Sequence, residues 1–239
     1  MTYSARASAA VVRGDFDCAD CPHAGRCWGD PPRAGAGILV TRRVVLEPGE
    51  PLFRQGERFD GVFVVTAGCI KLRETNSCGG EHIAALRTPG EIVGLEGWAQ
   101  GRHPHAAIAA TEARLCRLTM PPRGGAVSVD LLERLLSKTA IQLERASRPW
   151  AGGPAVERVA AFVEDLAERL DDERLALAAA RLPLTRAEIG SYLGLAEETV
   201  VRALAKLARV SPGRRAARDL GASTPRPARP SRPGRTISV

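Results

Sequence analysis

Three cysteines, Cys18, Cys21 and Cys27, fall within ten residues in the stretch CADCPHAGRC. The leader before them, MTYSARASAAVVRGDF, has no sustained apolar core and does not read as a secretory signal. No run approaches the roughly 18 apolar residues that span a membrane. The cytoplasm is therefore the expected compartment, and disulfides seldom persist there. Clustered thiols in a reducing compartment point to metal or redox chemistry before cross-links. An iron–sulfur cluster takes four thiolates. Structural zinc takes four cysteines, or three and a histidine, and His23 lies inside the loop. A fourth thiol has to come from Cys69, Cys78 or Cys116. On its own residues Cys116, in EARLCRLTM, reads as a core cysteine, Cys69 as another, and Cys78 as a turn residue.

The second chemistry-bearing stretch is LPLTRAEIGSYLGLAEETVVRALAKLARV, residues 182–210. Thr185 with Glu188 three residues on is a capping box that opens a helix. That helix ends near Leu193, and Gly194 supplies a tight turn. A further helix begins about Glu197 and runs through Leu207. Helix, glycine turn, helix is the arrangement that reads DNA. Glu198, Thr199 and Arg202 fall in the first turns of the second helix. Glutamate accepts from cytosine N4, and arginine donates to guanine O6 and N7. The plainer reading is a surface Glu198–Arg202 pair at i,i+4 spacing. A phosphate-binding glycine loop, a Ser/His/Asp arrangement and a paired His-Glu zinc motif are all absent, so an enzyme is not expected.

These residues need a scaffold. From Thr41 to Met120 short apolar runs alternate with Gly, Pro and Asn turn signals, as in an all-β barrel or sandwich. After PPRGG the period becomes helical: Leu132, Leu135, Leu136, Thr139 and Leu143 form an apolar stripe. That stripe fits either the chain's own barrel or the same helix of a second subunit. A further amphipathic helix runs from Ala155 to about Leu170. The formal net charge of +7 suggests a polyanionic partner. Seven arginines against one aspartate from Ser211 onward account for nearly all of it. That Arg/Pro-rich tail lacks apolar periodicity and is expected to be disordered.

Between about Cys18 and Leu207 the chain resembles the CRP/FNR superfamily of bacterial transcription regulators, and specifically its oxygen-sensing FNR group. The likeness is carried by CADCPHAGRC, PGEIVGLEGWAQGRHPHAAIAATEARLCRL, ERVAAFVEDL and LTRAEIGSYLGLAEETVVRAL. It implies an α+β architecture: a cysteine-bearing arm (1–37), a cyclic-nucleotide-binding-like β-roll (38–127), a long dimerisation helix (128–150) and a winged helix-turn-helix (155–210), then the tail (211–239). It also implies a 4Fe-4S cluster on Cys18, Cys21, Cys27 and Cys116, with zinc as the alternative. The implied partners are a second copy of the chain through the Leu132–Leu143 stripe, double-stranded DNA with palindromic half-sites, and RNA polymerase through Gly101, Arg102, His103 and His105. In cyclic-AMP-binding branches a Gly-Glu…Arg-Ser/Thr-Ala segment cradles the phosphate. Here Glu91 matches and Arg102 is nearby, but HPH replaces the hydroxyl residue, which argues against cyclic-nucleotide sensing. A thiol-redox or nitric-oxide regulator on the same fold, and a cluster protein without regulatory function, are the competing readings.

The chain departs from the FNR pattern in three places. Val201 stands where the pattern has Ser, and valine can touch a thymine methyl but cannot hydrogen-bond a base edge. Ala196 replaces the usual Thr cap, a loss of about 1 kcal/mol that Glu197 and Glu198 partly offset at the helix dipole. No alternating apolar strands follow Arg209, so the wing is not readable. The tail is either a native polycation or the product of a frameshift near Val210.

Overall fold

The computed structural model describes residues 10–12, 40–118, 129–146, 152–171 and 182–219. Among the described residues nine strands build the first half: β1 (Ala10–Val12), β2 (Val40–Leu46), β3 (Pro51–Phe53), β4 (Val62–Ala67), β5 (Ile70–Thr75), β6 (Glu81–Arg87), β7 (Ile92–Val93), β8 (Ala106–Ala109) and β9 (Ala113–Leu118). A short helix, α1 (Leu95–Gln100), separates β7 from β8. The strands form two antiparallel sheets, ordered β1-β2-β9-β4-β7 and β3-β8-β5-β6. Alternate residues of each strand point inward, so Phe63, Val65, Leu72, Ala107 and Leu115 close a shared core. The turn signals predicted an all-β barrel or sandwich, and this is the roll that the resemblance implied. The strand β1 lies inside the expected cysteine-bearing arm, where no strand was anticipated. It pairs with β2, and three residues carry too little periodicity to be read locally.

The opposite face of the five-stranded sheet carries Val62, Val64, Ile92 and Leu118. They are covered by α2 (Val129–Ala146). Leu135 is buried among them. The Gln142 side chain clamps the Ile92 peptide from both sides: it accepts from the Ile92 N–H at 3.1 Å and donates to the Ile92 carbonyl at 3.2 Å. The strand β7 is the open edge of its sheet, so this amide stands in for a missing strand.

The second half is helical: α3 (Ala155–Leu170), α4 (Arg186–Leu193) and α5 (Glu197–Asp219). Thr185 and Glu188 form the expected capping box, with both reciprocal bonds present. The turn is set by two glycines. Gly194 takes φ 63°, and a Cβ on Gly190 would stand 2.6 Å from the Leu195 carbonyl oxygen. Helix α5 runs to Asp219, beyond the expected end at Leu207, so the tail from 211 is not wholly unfolded. Arg214, Arg215, Ala216, Ala217 and Arg218 are strong helix formers, and they extend the helix past Pro212. Among the described residues no helix is long and apolar enough to cross a membrane.

Candidate functional site

Cys18, Cys21, Cys27 and His23 lie outside the described residues. Cys116 is described, and β9 positions it. Leu115 faces the barrel core, so the next residue faces out, onto the side of the sheet that α2 covers. Cys116 is 8% exposed there, opposite Val64 on one neighbouring strand and Arg43 on the other. Arg43 in turn pairs with Val12 of β1. Val12, Arg43 and Cys116 therefore stand abreast, and Val12 is about two strand spacings, ~10 Å, from Cys116. Cys18 is six residues beyond Val12. That length reaches about 20 Å when extended, enough to bring the arm's thiols back to Cys116. The donor set, three thiols on a leader moored beside a fourth on the sheet, fits a thiolate-bound cluster. Among the described residues no group of three or more His, Cys, Asp or Glu is arranged to hold a metal ion.

The other two thiols are elsewhere. Cys69 is fully buried between the barrel and the helical half, and burial pushes its thiol up to about 12, well out of the thiolate range. Cys78 is exposed in the β5–β6 turn, where its N–H donates to Asn76 Oδ1 at 3.0 Å. Both sit as the sequence placed them.

The apolar stripe of α2 divides. Leu135 turns to the barrel, which corrects its assignment to a subunit interface: residues seven apart, Leu135 and Gln142, share the barrel-facing side. Leu132, Leu136, Thr139 and Leu143 remain exposed, with Leu136 at 64% and Leu143 at 68%. With Val129 they recur at alternating spacings of three and four, the seam of a coiled coil.

Helix α5 buries Val200, Ala203 and Leu204 and presents Glu198, Val201 and Arg202 to solvent, with Thr199 half-buried. Arg202 and Glu198 are 3.7 Å apart and both largely exposed, so the i,i+4 pair leaves both side chains open to solvent. Helix α5 starts from the Ala196 carbonyl, which accepts from Thr199 and Val200 without a side-chain cap.

The loop offered as a polymerase contact needs one correction. Arg102 is exposed, and its guanidinium donates to the Gly56 carbonyl at 2.8 Å; Gly101 and His105 are half-buried. His103 is 1% exposed, stacked on Phe53 at 3.6 Å, with no hydrogen-bond partner for either ring nitrogen. A ring that packs against a residue fifty positions away offers nothing to a partner's surface. Burial holds its pKa below 6.5, against the weaker opposite pull of Asp60, Glu57 and Glu96. The unfolded chain therefore takes up this proton at a higher pH than the folded one, and stability falls as pH drops below about 6.5. Replacing His103 by Phe keeps the stack and removes the titration. The variant is expected to gain more in urea midpoint at about pH 5.5 than at about pH 7.5; an equal change at both would show that His103 is not the titrating group.

Sequence reasoning missed Arg169. Near the end of α3, it reaches four acceptors, among them the Glu91 carboxylate at 2.9 Å. Burial works against both charges. It is outweighed for Glu91 by the Arg169 guanidinium and the Thr88 N–H, which hold the carboxyl below its usual range, and for Arg169 by Glu91 and Asp165.

Comparison with known proteins finds two matching families. The cyclic nucleotide-binding domain matches residues 43–121, and the Crp-like helix-turn-helix domain matches residues 157–210. The chain is 34% identical over 170 residues to the transcriptional activator protein FnrA of Stutzerimonas stutzeri, and equally to the transcriptional activator protein Anr of Pseudomonas aeruginosa; in each case 69% of both chains is covered. Among solved structures it is similar to FixK2 from Bradyrhizobium japonicum, with a TM-score of 0.58, 30% identity, and coverage of 72% of this chain and 86% of that one.

Proposed function

The chain belongs to the CRP/FNR superfamily of transcription regulators, in its FNR group, and from that membership we propose that it senses oxygen through a 4Fe-4S cluster that controls pairing of two copies on DNA. That it is a DNA-binding regulator and not an enzyme follows from the family. The finer reading is supported chiefly by one observation: Cys116 lies on the α2-covered face of the sheet, abreast of the strand that moors the cysteine arm.

Cys18, Cys21, Cys27 and Cys116 would hold the cluster, whose reaction with oxygen supplies the sensing chemistry. The protein's own part is mechanical. Cys116 ties the arm to the sheet that carries α2. Leu132, Leu136, Thr139 and Leu143 are the exposed seam along which a second α2 can pack. Pairing places two α5 helices at half-sites one DNA turn apart, about 34 Å. The Glu91 carboxylate, the one clear match to the cyclic-phosphate cradle, is taken by Arg169, which supports a barrel without a cyclic-nucleotide effector. Arg102 with the half-buried Gly101 and His105 remains the proposed contact for RNA polymerase.

Protein purified without oxygen is expected to contain iron and acid-labile sulfide and to absorb near 400 nm, a band that fades in air (about that wavelength for thiolate-bound clusters). Colourless protein with stoichiometric zinc would instead assign the thiols to a structural site. On the DNA side, Arg202→Ala is expected to cost about 1–3 kcal/mol at a single base pair and relax specificity there. A uniform loss over all base substitutions, measured with a panel of singly altered duplexes, would move Arg202 to a phosphate contact.

A further inference from the structure

The helix-turn-helix does not hang from the barrel by its linker alone. Cys69, in the turn before β5, and Ile83 and Leu86 of β6 share one core with Val159, Phe162 and Leu166 of α3, so the two halves are packed as a unit. The polar contacts of the joint centre on Arg169. Its guanidinium donates to the Leu86 carbonyl at 2.9 Å, Thr88 Oγ1 at 3.3 Å and Glu91 Oε2 at 2.9 Å, all on the barrel, and to Asp165 of its own helix at 3.2 Å. Thr88 donates its N–H to the same Glu91 oxygen at 2.8 Å. Both charged side chains of the pair are under a tenth exposed. Around this centre, Ser191 of α4 accepts from the Ile83 N–H at 3.2 Å, along the open edge strand β6, and Lys71 of β5 pairs with Glu188.

The joint leaves the DNA-reading face uncovered. Helix α5 turns Val200, Ala203 and Leu204 into the shared core while Glu198, Val201 and Arg202 stay exposed. The contact therefore orients the reading helix and does not hide it. We propose that Arg169 is a positioning residue for DNA binding: anchored on Glu91, it fixes each helix-turn-helix against its barrel, so that pairing of two barrels also sets the separation of two α5 helices. A buried ion pair suits this task, because loss of one partner strands the other charge and only one docked geometry satisfies both. Without the dock, the second half-site contact loses its preset geometry, and the effective concentration that made it an intramolecular event falls.

This inference rests on the DNA-binding and pairing assigned above, and its test separates the two. The full-length chain, prepared without oxygen, selects a duplex from a randomised pool; a second duplex has one of its two half-sites scrambled. Arg169→Ala is expected to lose roughly ten-fold or more in affinity for the intact duplex and less than about two-fold for the scrambled one. Hydrogen exchange of the Ile83 amide is expected to speed up. Glu91→Gln, which keeps the side-chain volume and removes only the charge, should act in the same direction and serves if Arg169→Ala does not fold. Equal losses on both duplexes, no loss on either, or a gain on the intact duplex would overturn the positioning role. A wild-type chain that selects no duplex would overturn the DNA-binding premise itself.

Discussion

Replacing Cys116 by serine is expected to abolish retained iron and sulfide after anaerobic reconstitution and to make DNA affinity the same with and without air. Serine nearly matches cysteine in volume, and the site on β9 is flanked by regular pairing to β2 and β4. The roll should therefore fold, and circular dichroism on the same sample checks that it does. What changes is the donor: a hydroxyl stays protonated where a thiol can ionise and bind metal. Three thiols of the arm would then lack their anchor on the sheet. The matched control is Cys69→Ser. That thiol is fully buried against the helical half, with burial pushing it up to about 12, so its replacement should leave iron content unchanged and lower only stability. Full retention of iron and sulfide by the Cys116→Ser protein would place the fourth ligand elsewhere.

The second large effect belongs to α2. Leu136→Glu is expected to yield a monomer in sedimentation and to lower affinity for a two-half-site duplex by about 100-fold or more. Leu136 is 64% exposed in the single chain, so the fold of one copy does not depend on it. In a symmetric pair each substitution counts twice. Burying a leucine is worth about 1.5–3 kcal/mol, and two leucines exchanged for two facing carboxylates lose that and add repulsion. The neighbouring Leu135 provides the contrast. Packed against Val62, Val64 and Leu118, its truncation to Ala should cost about 2–5 kcal/mol of unfolding free energy while leaving the pairing surface in place. A Leu136→Glu protein that remained a dimer would remove this face from the interface.

The features legible in the sequence were those written within a few neighbouring residues. The helix-turn-helix could be read because its start, Thr185 with Glu188, and its turn, Gly194, are local signals that need no distant partner. The all-β character of the first half could be read from the rhythm of short apolar runs and turn residues. His103 misled because the resemblance carried the whole loop over as one surface; its burial comes from Phe53, fifty residues earlier. The stripe on α2 was read as one surface because Leu135 and Leu136 are adjacent apolar positions. Only the barrel's position shows that Leu135 belongs to one face and Leu132, Leu136, Thr139 and Leu143 to the next.

From the chain alone came the types of element, their order, and the helix cap and turn. All of these depend on backbone preferences and spacings over a handful of residues. The tertiary structure decided the rest: that Cys116 and Val12 stand in one row of the sheet, that the α2 stripe splits, and that Glu91 meets Arg169 from 78 residues away. The reason is physical. Which faces meet is set by burial and charge pairing summed over the whole fold, and no local stretch carries that sum.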